Sequence, residues 1–237
     1  MKQALKRLGT LGLQGDFNAA LKYQFRYRLL QLYRSGNIST VYDIGAHHGK
    51  WSLGMKKLMP KASFQLFEAN PVCETFLKKT GLPYHRIALS KTKGKRVFHS
   101  NNSTGDSFYP ENTELSGAFG WQEKEVETAD LDSFAQQNHL PPPDCIKLDV
   151  QGAELDVQGA ELDVLTGGKY LFSKTKFLLT EIPLLPYNLG APSFSDYLDA
   201  FGAAGFLPVS VVEVHQLSAK AGNSPALSQM DLFFERQ

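Results

Sequence analysis

Asp43-x-Gly45-x-x-x-Gly49 stands where a short β-type run, Thr40 to Ile44, hands over to a helical stretch. A glycine at such a handover lets the backbone approach a ligand closely and take a positive φ. The free amides of the helix start favour an anion. Glu68 closes the next strand-like run, Ser63 to Glu68. An acid in that place can bind two vicinal ribose hydroxyls. A third run carries Ile87-Ala88-Leu89, where Ala88 can flank an adenine. Each residue has a plainer use: Asp43 as a helix cap, Glu68 as a solvated loop acid. Their joint occurrence at successive strand ends points to a nucleoside-bearing ligand. The glycine spacing is not GxGxxG, which a nicotinamide-dependent oxidoreductase would require.

The elements that must hold these residues alternate. Helical stretches run from Lys50 to about Met59 and over residues 72–80, and Tyr84 to Leu89 reads as the third strand. Cys145 to Val150, Phe177 to Ile182, Phe206 to Val214 and Met230 to Glu235 are further strands, and Leu131 to His139 and Phe194 to Ala204 are helices. A further helix is expected to end near Gly167-Gly168. Such alternation predicts βαβ units and a parallel sheet. Residues 91–128 interrupt it. Lys95 to Ser100 and Glu123 to Thr128 are extended, and 101–120 is either a substrate lid or a plain loop.

Composition sets the frame. The 237 residues are 42% hydrophobic and 21% charged, with a net charge of +1, which fits a globular domain and gives no reason to expect a nucleic-acid binder. Residues 1–38 are set apart by seven basic side chains and one acid. We divide the chain into a basic helical extension, 1–38, and a main domain, 39–237. Leu21, Phe25, Arg28, Leu29 and Leu32 fall at helical spacing, with Asp16 as a cap and Gly36 as a stop. This helix either touches an anionic surface peripherally or packs on the domain with its basic face in water. Cys73 and Cys145 form no zinc or CxxC spacing, so two buried thiols in a reducing, cytoplasmic setting are expected. No apolar run has the length of a membrane span, and no signal peptide is legible at the start. The oligomeric state leaves no trace.

Five stretches together resemble the FkbM family of class I S-adenosylmethionine-dependent methyltransferases. They are Asp43-Ile44-Gly45-Ala46-His47-His48-Gly49-Lys50-Trp51-Ser52, Phe67-Glu68-Ala69-Asn70-Pro71, Ala88-Leu89-Ser90, Thr128 to Phe134, and Ile146 to Glu154. The resemblance implies an α/β, Rossmann-like fold: a seven-stranded, mostly parallel sheet with helices on both faces and an antiparallel last strand. It implies that Gly45, Ala46, His47 and Gly49 line the methionine end of S-adenosyl-L-methionine. Asp43 would support that loop, Glu68 would hold the ribose, Ala88 would lie by the adenine, and Asp149 would face the transferring methyl. The family methylates hydroxyls, often on sugars or other small molecules. It usually carries Asn where His47 stands, and a histidine there can titrate near neutral pH.

Methyl transfer needs the acceptor oxygen aligned and relieved of a proton. Candidate bases are Asp149, His47 and Glu181, with His48 behind them. Lys147 shares a strand face with Asp149 and can pair with it. No carboxylate cluster demands a metal. One irregularity falls in the motif itself: Leu148 to Glu154 is repeated identically as Leu155 to Glu161. Seven extra residues fit a helix, which keeps its face, but not a strand, which would invert. The upstream strand favours Asp149 as the strand-end acid over Asp156, and Glu154 and Glu161 compete to start the helix. A longer helix crowding the acceptor would leave a weak or inactive methyltransferase-like binding module, which stands as the alternative function.

Overall fold

A computed structural model describes residues 13–100, 122–150, 160–185, 192–217 and 226–237. The chain opens with α1, Leu13–Arg34. Asp16 lies inside this helix, not at its cap. Gly36, at φ 78°, ends it, and the Asn37 amide returns to the Leu32 carbonyl at 2.9 Å, as in a glycine-closed helix terminus. The Rossmann-like units follow: β1 (Thr40–Ile44), α2 (Lys50–Leu58), β2 (Ser63–Glu68), a 3-10 turn at Pro71–Cys73, and α3 (Glu74–Thr80).

The third expected strand divides in two. β3 (Tyr84–Arg86) pairs with β2, and the Ile87 amide still donates to the Glu68 carbonyl. The chain then leaves that edge, and β4 (Ala88–Leu89) pairs in parallel with β6 (Gln122–Ala129) of a second sheet. Antiparallel to β6 lies β5 (Gly94–Ser100). The 101–120 segment falls outside the described residues.

The remaining elements are α4 (Leu131–Gln137), β7 (Cys145–Leu148), α5 (Ala160–Gly167), α6 (Lys169–Lys174), β8 (Phe177–Pro183), α7 (Phe194–Ala203), β9 (Phe206–Leu217) and β10 (Ala226–Arg236). β7 stops two residues before the expected end, so Asp149 and Val150 follow the strand. α6 was not expected. Gly168 breaks the helix before it, and the Asp132 carboxylate accepts the Tyr170 and Leu171 amides at its start.

The main sheet has the order β3-β2-β1-β7-β8-β10-β9, with β10 antiparallel to both neighbours and the other pairs parallel. This is the fold the resemblance implies. Side chains alternate into two apolar layers. Tyr42, Phe67, Ile146, Leu178 and Phe234 face one layer, with Val164, Phe172 and Phe201 from α5, α6 and α7. Val41, Phe64, Leu66, Leu179 and Phe233 face the other, with Phe25 and Leu29 of α1 and Met55 of α2.

α1 is therefore packed on the sheet. Phe25 meets Phe233 edge-on at 5.3 Å, and Asn18 exchanges two hydrogen bonds with the Val214 backbone. Its basic face is not left to water alone: Lys22 pairs with Glu213 and Arg28 with Glu235. Leu29 is fully buried, whereas Tyr23 is 72% exposed. Truncating Leu29 to alanine should cost about 2–5 kcal/mol. For a chain of this size each kcal/mol lowers the thermal midpoint by about 2–4 °C. Tyr23→Ala should shift the midpoint by no more than about 2 °C by the same scale. Equal midpoints for the two variants in thermal unfolding would mean that α1 is not an integral part of the folded unit.

Candidate functional site

The parallel strands β2, β1 and β7 end side by side, and their ends carry the residues singled out in the sequence. In open α/β sheets ligands bind at such carboxyl ends. Gly45 follows β1 at φ 77°. A Cβ there would lie 1.6 Å from the Asp149 carbonyl oxygen, because the Asp149 amide donates to the Ile44 carbonyl and draws the two strand ends together. Only glycine satisfies both the angle and the contact. The amides of Gly45 and Ala46 donate to the Phe67 carbonyl, which ties the loop to β2. Gly49 takes φ 70° at the start of α2, and a Cβ there would press on Thr80 of α3.

His47 takes φ 49°, in the left-handed region where asparagine is also favoured. The His47 ring stacks on His48 at 3.8 Å, and His48 stacks on Phe76. Nε2 of His47 is buried and carries no hydrogen-bond partner. Burial, then the His48 and Lys50 charges, push the His47 imidazole down to about 4. The expectation that His47 titrates near neutral pH is not met: desolvation keeps it neutral there.

Glu68 turns its carboxylate back under the glycine loop. Oε2 accepts the His47 amide at 2.7 Å and Oε1 the Asn70 amide at 2.8 Å. Burial raises its pKa, and the two amides oppose that rise. A carboxylate has about four acceptor sites, so two remain for hydroxyl donors. Ala88 is buried in β4.

Asp43 is fully buried. Its Oδ2 accepts the Ser52 hydroxyl at 2.6 Å, which fixes the start of α2 to β1. Lys147 stands between its Oδ1, at 3.3 Å, and Oδ2 of Asp149, at 2.9 Å. The sequence pointed to the Lys147–Asp149 pair; strand register adds Asp43, which lies directly across from Lys147. Burial pushes the ammonium down, and the two carboxylates more than reverse this, holding it above the usual lysine range. Asp149 thus occupies the end of β7, while Asp156 and Glu154 lie outside the described residues. Glu161 is on α5, fully buried, and accepts the Tyr197 hydroxyl at 2.7 Å.

A cleft of about 650 Å³ opens beside Asp149, on the α1 side of the sheet. Lys22, Phe25 and Arg26 of α1 form one wall and Trp51 and Met55 of α2 another, and Lys147, Asp149 and Glu181 line the floor with Glu213 and Asp231. Burial, then Asp149, Asp231 and Glu161, push the Glu181 carboxyl up to about 9. Trp51, Lys22, Arg26, Glu213 and Asp231 were given no site role from sequence. The legible signal was a charged side chain in a strand whose neighbours two positions away are apolar, as in Leu179-x-Glu181 and Asp231-x-Phe233.

Two consequences are measurable. Lys147→Met leaves the buried Asp43 carboxylate without its cation and should cost about 3–5 kcal/mol in denaturant unfolding. A cost under about 1 kcal/mol would mean that the ammonium is dispensable to the fold. His47 binds its proton near 6.5 when unfolded but only near 4 when folded. The unfolded state therefore holds more protons in that window, and stability must fall as pH is lowered through it. His47→Asn should flatten this part of the stability–pH curve. Superimposable curves for the two proteins would remove His47 from the linkage.

Residues 43–157 match the family described as the Methyltransferase FkbM domain. The chain is 31% identical over 160 residues to the 2-O-methyltransferase NoeI of Sinorhizobium fredii. That alignment takes in 60% of this chain and 62% of the relative, so the chain spans less than two thirds of the relative it matches. Among solved structures, precorrin-6y C5,15-methyltransferase from Geobacter metallireducens shares 13% identity at a TM-score of 0.45, over 84% of this chain and 79% of that one. Magnesium protoporphyrin IX methyltransferase from Synechocystis, solved with bound SAM, shares 12% at 0.42, over 90% and 79%. The glycine loop, Glu68, Lys147 and Asp149 described above all lie within the residues, 43–157, that match this family.

Proposed function

We propose that this chain is an S-adenosylmethionine-dependent O-methyltransferase that acts on a hydroxyl of a sugar, glycan or other small hydroxylated acceptor. The observation that carries the reading is the Glu68 carboxylate, held under the glycine loop by the His47 and Asn70 amides at the end of β2. Its free acceptor sites suit the two hydroxyls of a ribose. The partnerless Nε2 of His47, buried in the same loop, suits the polar methionine end. These residues fit the cofactor, and the similar protein from Sinorhizobium fredii is a 2-O-methyltransferase, which methylates oxygen.

Gly45, Ala46, His47 and Gly49 would hold the methionine portion, Glu68 the ribose and Ala88 the edge of the adenine. Asp43 keeps the loop in place through Ser52 and Lys147. When bound, S-adenosylmethionine supplies a methyl on a sulfonium, already activated for displacement. The chain must then present an oxygen in line with it and take up the proton. Asp149 stands where the loop meets the cleft, with Oδ2 oriented by Lys147. It is the group placed to receive that proton. His47, facing the loop, and Glu181, farther along the floor, have supporting parts. Trp51 offers an aromatic face and the floor offers carboxylates, a combination that suits a ring bearing several hydroxyls.

Cys73 and Cys145 are both buried, which fits a reducing setting such as the cytoplasm. Among the described residues no helix is long and apolar enough to cross a membrane.

Calorimetry with S-adenosylhomocysteine should give micromolar binding. Glu68→Gln, which keeps an acceptor but loses the charge, should weaken it at least tenfold with little change in thermal midpoint. Incubation with methyl-labelled cofactor and a panel of glycans should then transfer label to oxygen, and Asp149→Asn should slow transfer more than it weakens binding. No binding by the parent protein would overturn the cofactor reading. Binding without transfer to any hydroxylated acceptor would favour the binding-module alternative.

A further inference from the structure

Three adjacent strands on the cleft floor place acids directly across from one another. Glu181 of β8 is paired in register with Asp231 of β10, and Asp231 with Glu213 of β9. His215 lies two residues beyond Glu213 and so on the same face. Like charges in directly opposed positions destabilise a sheet, which is part of why Glu181 holds its proton so tightly beside Asp231. Nearby cations are largely committed elsewhere. Lys22 reaches Glu213 at 2.5 Å, and Lys147 is held by Asp43 and Asp149. Arg26 lines the wall, and Glu161 adds a further negative charge behind Glu181. Among the described residues, the ion-pair neighbour of Glu181 and Asp231 within 4 Å is the His215 imidazole, while Lys147 acts on Glu181 from farther away.

The distances indicate what could balance them. Nε2 of His215 lies 3.7 Å from Oδ1 of Asp231 and 3.8 Å from Oε2 of Glu181. These are too long for direct hydrogen bonds. Metal–ligand bonds of about 2.1 Å place two ligand atoms on one ion about 3.0–4.2 Å apart, depending on the angle. One donor atom from each of the three side chains lies within 4.8 Å of the others. Gln229 donates to Oε2 of Glu181 at 2.7 Å, a second layer that orients the carboxylate as outer partners orient metal ligands. The three donors come from paired strands, so their spacing is set by the sheet and not by a loop.

We infer that Glu181, His215 and Asp231 form a binding site for one divalent metal ion on the floor of the cleft. One imidazole and two carboxylates suit an oxygen-preferring ion that also accepts nitrogen, of which Mn2+ is the type. The other cluster of donors among the described residues, His47, His48 and Cys73, includes a thiol and would take a softer ion. Resting on the methyltransferase reading, an ion at Glu181 and Asp231 would contact the acceptor hydroxyl and make its proton easier to remove. The site itself does not depend on that reading.

Mn2+ alone is the probe, titrated into metal-stripped protein and followed by electron paramagnetic resonance. One ion should bind per chain. His215→Ala should weaken binding at least tenfold, and a Glu181→Gln, Asp231→Asn double variant should abolish it, with thermal midpoints reporting that both variants fold. On the unaltered protein, spin-echo spectra of bound Mn2+ should show nitrogen modulation from one imidazole, a readout that needs no variant. No binding up to millimolar Mn2+, no nitrogen modulation, or binding that survives the folded double variant would overturn the site. S-adenosylhomocysteine calorimetry on the same samples separates the two claims. Mn2+ binding without cofactor binding keeps the site and rejects the methyltransferase reading, and the reverse result rejects the site.

Discussion

Lys147 carries one ammonium between two carboxylates that the sheet forces together. Parallel pairing of β1 with β7 puts Asp43 opposite Lys147, and Asp149 follows two residues later on the same face. Without the cation, the buried Asp43 would stand uncompensated at the root of the glycine loop. With it, the loop, the start of α2 and the end of β7 are held to one point. Asp43 reaches α2 through Ser52, and Lys147 also donates to the Gly45 carbonyl at 3.4 Å. Glu68 under the loop and Asp149 at the cleft, on either side, inherit their positions from this link.

The arrangement divides labour between the two faces of the sheet. The α5–α7 face is closed by large apolar side chains, and its buried acid, Glu161, is satisfied by Tyr197. The α1 face is apolar at its base but turns charged toward the strand ends, through Lys147, Glu181 and Asp231. A cleft results where the helices stop covering the sheet. Helix α1 supplies one of its walls, so a segment outside the FkbM match contributes to the cleft.

Most of the architecture was legible because it rests on local signals. Alternation of strand and helix, glycine at 45 and 49, and the acid at 68 each follow from short-range rules. The division of Tyr84–Leu89 into β3 and β4 was not legible, since one residue, Ile87, separates the two sheets and leaves no mark of composition. α6 was missed because six residues carry too little periodicity. Within the site, Asp43, Gly45, Glu68, Lys147 and Asp149 were found from motif and strand position. Glu213, His215 and Asp231 were not, because their proximity to Glu181 is made by pairing between strands distant in sequence. The plainer reading of the basic helix was also incomplete, since Lys22 and Arg28 are bound to acids on β9 and β10 that only the folded sheet brings near.

β10 lies between β8 and β9, although both precede it in the chain. Until residues 226–236 have been synthesised, β8 has an open edge and β9 has no place in the main sheet. α1, made well before them, leans on β9 nearly two hundred residues downstream through Asn18 and Val214. A growing chain can therefore assemble the half that carries the glycine loop as it is produced, while the half that carries the cleft floor waits for β10 to be threaded in. Such dependence on distant pairings slows folding and leaves sheet edges exposed in the interval. Loss of the final strand would leave the first half with its glycine loop intact but with no floor beyond Glu181, a folding intermediate frozen by truncation.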